Sequence, residues 1–192
     1  MTLLTVGLLL FLGAHSTRIF GEGWRTRTMA RLGVGPWKAA VAVLSIVGFA
    51  LLAWGYGVAR QQPVVLWSPP TWTRHLAALL TLVAFVMLVA AYVPGNAIKS
   101  KLRHPMVLSV KVWAIAHLLA NNTVADMVLF GAFLAWAVLD FRAARQRDRA
   151  LHTAYPPGRA GPTVVTVLVG LLAWAVFALW AHAAWIGVRP FG

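Results

Sequence analysis

The chain has 192 residues, of which 60% are hydrophobic and only 11% charged, a balance outside the range of ordinary soluble domains. A net charge of +13 would suggest a nucleic-acid partner in a soluble protein. Here the basic residues fall in short stretches between apolar runs of membrane-spanning length, so membrane topology accounts for them and no nucleic acid is expected. There is no cysteine, which excludes disulfides, thiolate catalysis, iron–sulfur clusters and covalent c-type haem attachment.

In chain order, the hydropathy pattern predicts an all-α integral membrane protein with about six transmembrane helices. The first span covers Thr2–Phe20. It lacks the basic start and small-residue cleavage site of a signal peptide, so it reads as a retained span. A basic loop with Arg25, Arg27 and Arg31 leads to the second span, Trp37–Ala59. The loop Gln61–Thr73, rich in tryptophan and proline, reads either as lying against lipid headgroups or as an ordered Pro-rich connection. The third span, His75–Val93, is stopped by Pro94-Gly95. The fourth, Pro105–Ala120, has proline in its first turn and is short, about 24 Å at 1.5 Å per residue. The fifth, Val124–Phe141, has Thr123 as its candidate N-cap. The sixth, Thr163–Val188, follows the breaker-rich stretch at Tyr155. No internal repeat is evident, and residues 1–192 read as a single transmembrane domain.

Counting Arg18 and Lys38 at the span ends with the loops they border, thirteen lysines and arginines belong to the connections after the odd-numbered spans, and two lie in the loop after span two. That asymmetry predicts both termini outside and the basic loops in the cytoplasm.

Polar side chains inside such spans are expensive and invite a functional reading. The chain has six histidines: His15, His75, His104, His117, His152 and His182. His152 lies in an arginine-rich loop and reads as solvated; His75 and His182 lie near outer span ends. His104 and His117 are separated by about 220° of helical turn and about 20 Å of rise, so one straight helix cannot bring both to one metal. His104 shares a face with Lys111 and is expected to hydrogen-bond or to meet an acidic group at the cytoplasmic end of span four. His117 stands on a stripe with Met106, Val110, Trp113 and Asn121. The stripe fits a flat ligand held against Trp113 with the Asn121 amide nearby, and it fits equally a packing seam with one hydrogen-bonded histidine. His15 shares a face with Leu8, Phe11 and Ile19, with Arg18 one turn on. That pattern suits an imidazole–iron bond with an arginine–propionate pair, and also an ordinary inter-helix contact with a basic anchor. Asp126, near the start of span five, reads as a helix-dipole partner or as a carboxylate orienting His117.

The pieces Arg103-His104-Pro105-Met106, Lys111-x-Trp113-Ala114-x-Ala116-His117-Leu118-Leu119-Ala120-Asn121, Leu129–Gly131, Leu134–Ala137 and Gly13-Ala14-His15-Ser16-x-Arg18-Ile19 occur in this order. Together they resemble the NnrU family of bacterial inner-membrane proteins, which is distantly related to the zeta-carotene isomerase. The resemblance covers most of the chain. Asn122 stands where the family pattern has glycine, and an asparagine can still end a helix in the left-handed conformation.

The resemblance implies a non-covalent haem b held by histidines. His117 and His15 are the implied axial ligands, with His104 as a third, alternate metal ligand. Trp113, Asn121, Lys111 and Asp126 line the implied cofactor site, and Arg18 or Arg103 would meet the propionates. Helix rise puts His15 roughly 20 Å below the outer face and His117 about 10 Å below it, so a shared macrocycle requires a shifted or tilted span. His182 and His75 are the fallback partners for His117.

The implied role is nitric oxide or nitrite redox chemistry or sensing in denitrification, alongside other membrane redox proteins. A haem-dependent polyene isomerase and a non-catalytic assembly factor are the alternatives. Arg-His-Pro also begins the R-H-P-x-Y-x-G motif of isoprenylcysteine methyltransferases. Here Val107 and Ser109 replace its Tyr and Gly, and no acidic pair lies near the C-terminus.

Overall fold

A computed structural model describes residues 1–191. Its elements are α1 (Thr2–His15), α2 (Thr17–Phe20), α3 (Glu22–Leu32), α4 (Val34–Ala59), α5 (Thr71–Tyr92), α6 (Ala97–Leu102), α7 (Pro105–Ala120), α8 (Val124–Ala150) and α9 (Ala160–Val176). A π-helical segment, Phe177–Ala181, continues α9 into α10 (His182–Ile186). The four helical stretches Val34–Ala59, Thr71–Tyr92, Val124–Ala150 and Ala160–Ile186 are long and apolar enough to cross a membrane. Two apolar helices, Thr2–His15 and Pro105–Ala120, are shorter. Leu9, Ile46 and Leu172 are each 66–70% exposed, which suits lipid as the solvent of these faces.

The chain divides into two compact units. The first comprises Met1–Ser68 and Asn121–Arg145. Its centre is the pairing of α1 with α4, which glycine brings to backbone contact. A Cβ at Gly7 would lie within 3.0 Å of Leu52 backbone atoms, one at Gly48 within 3.0 Å of Phe11, and one at Gly55 within 3.0 Å of Leu4. Small residues of this kind let helices approach closely where no hydrophobic effect drives them together. Leu4, Leu8 and Leu52 are buried along the seam. The tryptophan- and proline-rich connection is ordered. Val65 bridges to Thr123, Leu66 N–H donates to Asn122 O at 2.8 Å, and Asn122 Nδ2 donates to Trp67 O at 2.6 Å.

The second unit comprises Pro69–Ala120 and the chain from Gln146 onward. Helix α5 packs against both α7 and α9. Ala84, Ala90, Ala114 and Ala116 are buried, and a Cβ at Gly170 would lie within 3.0 Å of Val86 Cα. Trp174 Nε1 donates to Thr81 Oγ1 at 3.1 Å, satisfying two polar groups between apolar faces. The turn after α5 is held by Asn96, 1% exposed, which accepts from Lys99 N at 2.7 Å and donates to Ala90 O and Val93 O. Gly95 makes the turn with φ +72°.

The helix expected over Pro105–Ala120 falls where the sequence places it. The first does not run through to Phe20. The helix breaks at Ser16, whose hydroxyl donates back to Leu12 O at 2.6 Å, a local bond that competes with the helix ladder. The stretch expected as a basic loop is instead helix α3, with Glu22 pairing Arg25 at 3.2 Å and Gly33 (φ +87°) ending it. Helix α8 runs nine residues past Phe141, because nothing between Arg142 and Ala150 breaks a solvated basic helix.

Candidate functional site

The sequence-predicted residues fall into separate clusters. The turn Arg103-His104-Pro105 is built by backbone geometry: Arg103 closes α6 with φ +67°, and Pro105 occupies the first turn of α7, where no N–H is needed. His104 is thereby set at the head of α7. Its Nε2 donates to Asp148 Oδ2 at 2.8 Å. Tyr155 hydroxyl donates to the same carboxylate, 3.0 Å from each oxygen. The Arg103 guanidinium lies over the Tyr155 ring, 5.5 Å from its centroid. Asp148 is 8% exposed, so this carboxylate is desolvated and depends on its donors. The expected acidic partner of His104 is therefore Asp148. Tyr155 escaped sequence reading, because nothing local to it signals a contact with His104.

Near the other end of α7, His117 Nδ1 is bonded to the carbonyl of Trp113, 2.8 Å away on the preceding turn. A carbonyl can only accept, so the proton resides on Nδ1 and the lone pair of the neutral ring on Nε2. The Trp113 ring packs on the imidazole with centroids 5.0 Å apart. Ala114 and Ala116, both fully buried, leave α7 close to its neighbour. Lys111 is half-buried on the same helix.

In the first unit, His15 repeats this arrangement. Its Nδ1 bonds to Phe11 O at 2.7 Å, and the Phe11 ring lies 4.5 Å from it. Trp136 stands edge-on to His15 at 6.3 Å. The Trp136 indole nitrogen is buried without a hydrogen-bond partner. Arg18 pairs with Glu22 at 3.5 Å. Asp126 gives its oxygens to Tyr56 hydroxyl (2.5 Å) and to the N–H and hydroxyl of Thr123 (3.0 and 2.6 Å), while Thr123 Oγ1 accepts from Asp126 N–H at 3.2 Å. Thr123 is thus the N-cap foreseen for this helix, and Asp126 answers it reciprocally, in the helix-end role the sequence allows. Asn121 lies in this unit, just ahead of that cap.

Of the remaining histidines, His182 Nδ1 bonds to Val188 O at 2.7 Å, and His152 is exposed where the chain leaves α8 with φ +48°. Among the described residues no three His, Asp or Glu side chains come together to hold a metal ion. A haem iron asks less of the protein, one or two axial nitrogens, and histidines oriented by a carbonyl at Nδ1 are chemically suited to it.

The model of the NnrU family, described as NnrU protein, matches residues 3–190. The chain belongs to the NnrU family. No curated protein and no solved structure matches it. In this NnrU protein the matched region takes in both units, the His104–Asp148–Tyr155 cluster and the two carbonyl-oriented histidines.

Proposed function

We propose that this NnrU protein is a six-span protein of the bacterial inner membrane, with both termini outside. On this reading it binds haem b through His117 and His15 and serves nitric oxide or nitrite redox chemistry or sensing, in contact with other membrane redox proteins. The observation that carries the reading is the bond from His117 Nδ1 to Trp113 O, 2.8 Å long, inside a helix otherwise fit for lipid or a protein core. It fixes ring orientation and tautomer and directs the Nε2 lone pair outward from its own backbone, as a metal-ligating histidine requires. His15 is prepared in the same way by Phe11 O. Haem iron held so would supply a binding site for nitric oxide. Trp113 would pack beside the macrocycle, and the absence of cysteine leaves imidazole as the strong-field donor.

An absorption spectrum of the full chain, purified in detergent from haem-replete cells, tests this. A Soret band with sharp α and β bands after dithionite reduction is expected. A colourless, folded protein would leave the assembly role as the better reading.

A further inference from the structure

The end of the last span carries an amphipathic groove. The membrane-crossing stretch ends at Ile186. Gly187 then adopts φ +77°, and the tail folds back beside the helix it has just left. Two contacts hold the fold-back: His182 Nδ1 donates to Val188 O at 2.7 Å, and Phe191 meets Trp174 edge-on at 6.0 Å. Between tail and helix lies a groove of about 470 Å³. Leu179, Trp180 and Ala183 form its span-side wall, and Arg189, Pro190 and Phe191 its outer wall.

The π-helical segment shapes the first wall. Its wider turn at Phe177–Ala181 sets Leu179 and Trp180 outward, 70% and 62% exposed. Trp180 and Trp185 pack together at 6.3 Å, where aromatic residues anchor a helix at the headgroup level. The groove therefore has an apolar floor inside the span and a cation three residues beyond its end. That order of chemistry, acyl then anionic, is that of a phospholipid entering from the bilayer.

We propose that this groove is a binding site for one anionic phospholipid, its phosphate against Arg189 and the start of its acyl chains along Leu179 and Trp180. The volume is in the range of small-molecule sites and suits a glycerophosphate headgroup region. A single interfacial arginine changes the affinity of an anionic lipid about fivefold.

The full chain in detergent, stripped of lipid and titrated with dioleoylphosphatidylglycerol under native mass spectrometry, tests the assignment. One tightly retained lipid is expected in wild type. Arg189→Gln should weaken it about fivefold, and Arg189→Lys should keep most of it. Trp180→Ala should weaken it too, whereas Lys101→Gln, at an exposed basic residue elsewhere, should leave it unchanged. Dioleoylglycerol, which lacks the phosphate, should bind both wild type and Arg189→Gln weakly. Equal retention in wild type, Arg189→Gln and Trp180→Ala, with unchanged helical circular dichroism, would overturn the proposal. So would displacement of the lipid by millimolar inorganic phosphate, which marks a free-anion site, or a dimer forming in place of the lipid adduct.

Discussion

Nε2 of His104 lies 2.8 Å from Oδ2 of Asp148, across 44 residues of chain. This bond commits the nitrogen that an axial ligand would use. His104→Ala is therefore expected to keep its haem content near wild type. Asp148→Ala should be the more damaging change, because it strands both His104 and Tyr155, and hydrogen bonds to charged groups contribute about 1.5–3 kcal/mol each. Thermal unfolding in detergent should rank Asp148→Ala below His104→Ala. A folded His104→Ala protein devoid of haem would make His104 a ligand after all.

The two carbonyl-oriented histidines are tested by alanine variants assayed for haem stoichiometry and low-spin spectrum. His117→Ala is expected to lose the low-spin spectrum, and His15→Ala to lose it as well. If His15→Ala keeps it while His117→Ala does not, the second ligand is to be sought at His182 or His75. If a folded His117→Ala retains the wild-type spectrum, the site is misplaced.

The cap of α8 makes a prediction that separates structure from cofactor. Tyr56→Phe removes the 2.5 Å bond to Asp126 but keeps the ring, and should destabilise the protein by about 1 kcal/mol. Asp126→Ala also uncaps the helix and should cost about 1 kcal/mol more. Both should retain haem. Loss of haem from a stable Asp126→Ala protein would show that the carboxylate serves the cofactor.

The α1–α4 seam is tested by contrast within one helix. Gly48→Leu drives a side chain into Phe11 backbone and should destabilise by about 1–3 kcal/mol or more. Gly57→Ala meets open space and should be neutral or stabilising by up to about 1 kcal/mol. Denaturant unfolding of both variants in the same detergent decides it.

The proposed topology rests on the thirteen-to-two distribution of lysine and arginine. A C-terminal alkaline phosphatase fusion is expected to be active. A fluorescent cytoplasmic fusion with no phosphatase activity would mean that the count of spans or their orientation is wrong.

How much of this was legible depended on whether the signal was local. Pro94-Gly95 and Pro105 are backbone constraints written in single residues, so the end of α5 and the start of α7 could be read directly. Thr123 announced the cap of α8 for the same reason. The break at Ser16 could not be read, because a serine inside an apolar run is tolerated as often as it interrupts. Helix α3 was hidden by its charge: a basic stretch between spans looks like a loop until its Glu22 pairs are seen. The His104 partnership was half-visible, since an acid was expected, but which acid depends on tertiary placement. The glycines of α1 and α4 showed small residues without showing that they face each other.

That seam also bears on how the protein is made. Helix α1 has 14 residues, about 21 Å of rise, against a hydrocarbon layer about 30 Å thick. Alone it is a poor substrate for insertion, and its exposed backbone along Gly7 has no partner until Gly48 and Leu52 have been synthesised. The helical hairpin of α1 and α4, rather than either helix, is then the unit that the ribosome delivers to the bilayer, with the basic helix α3 joining its two arms.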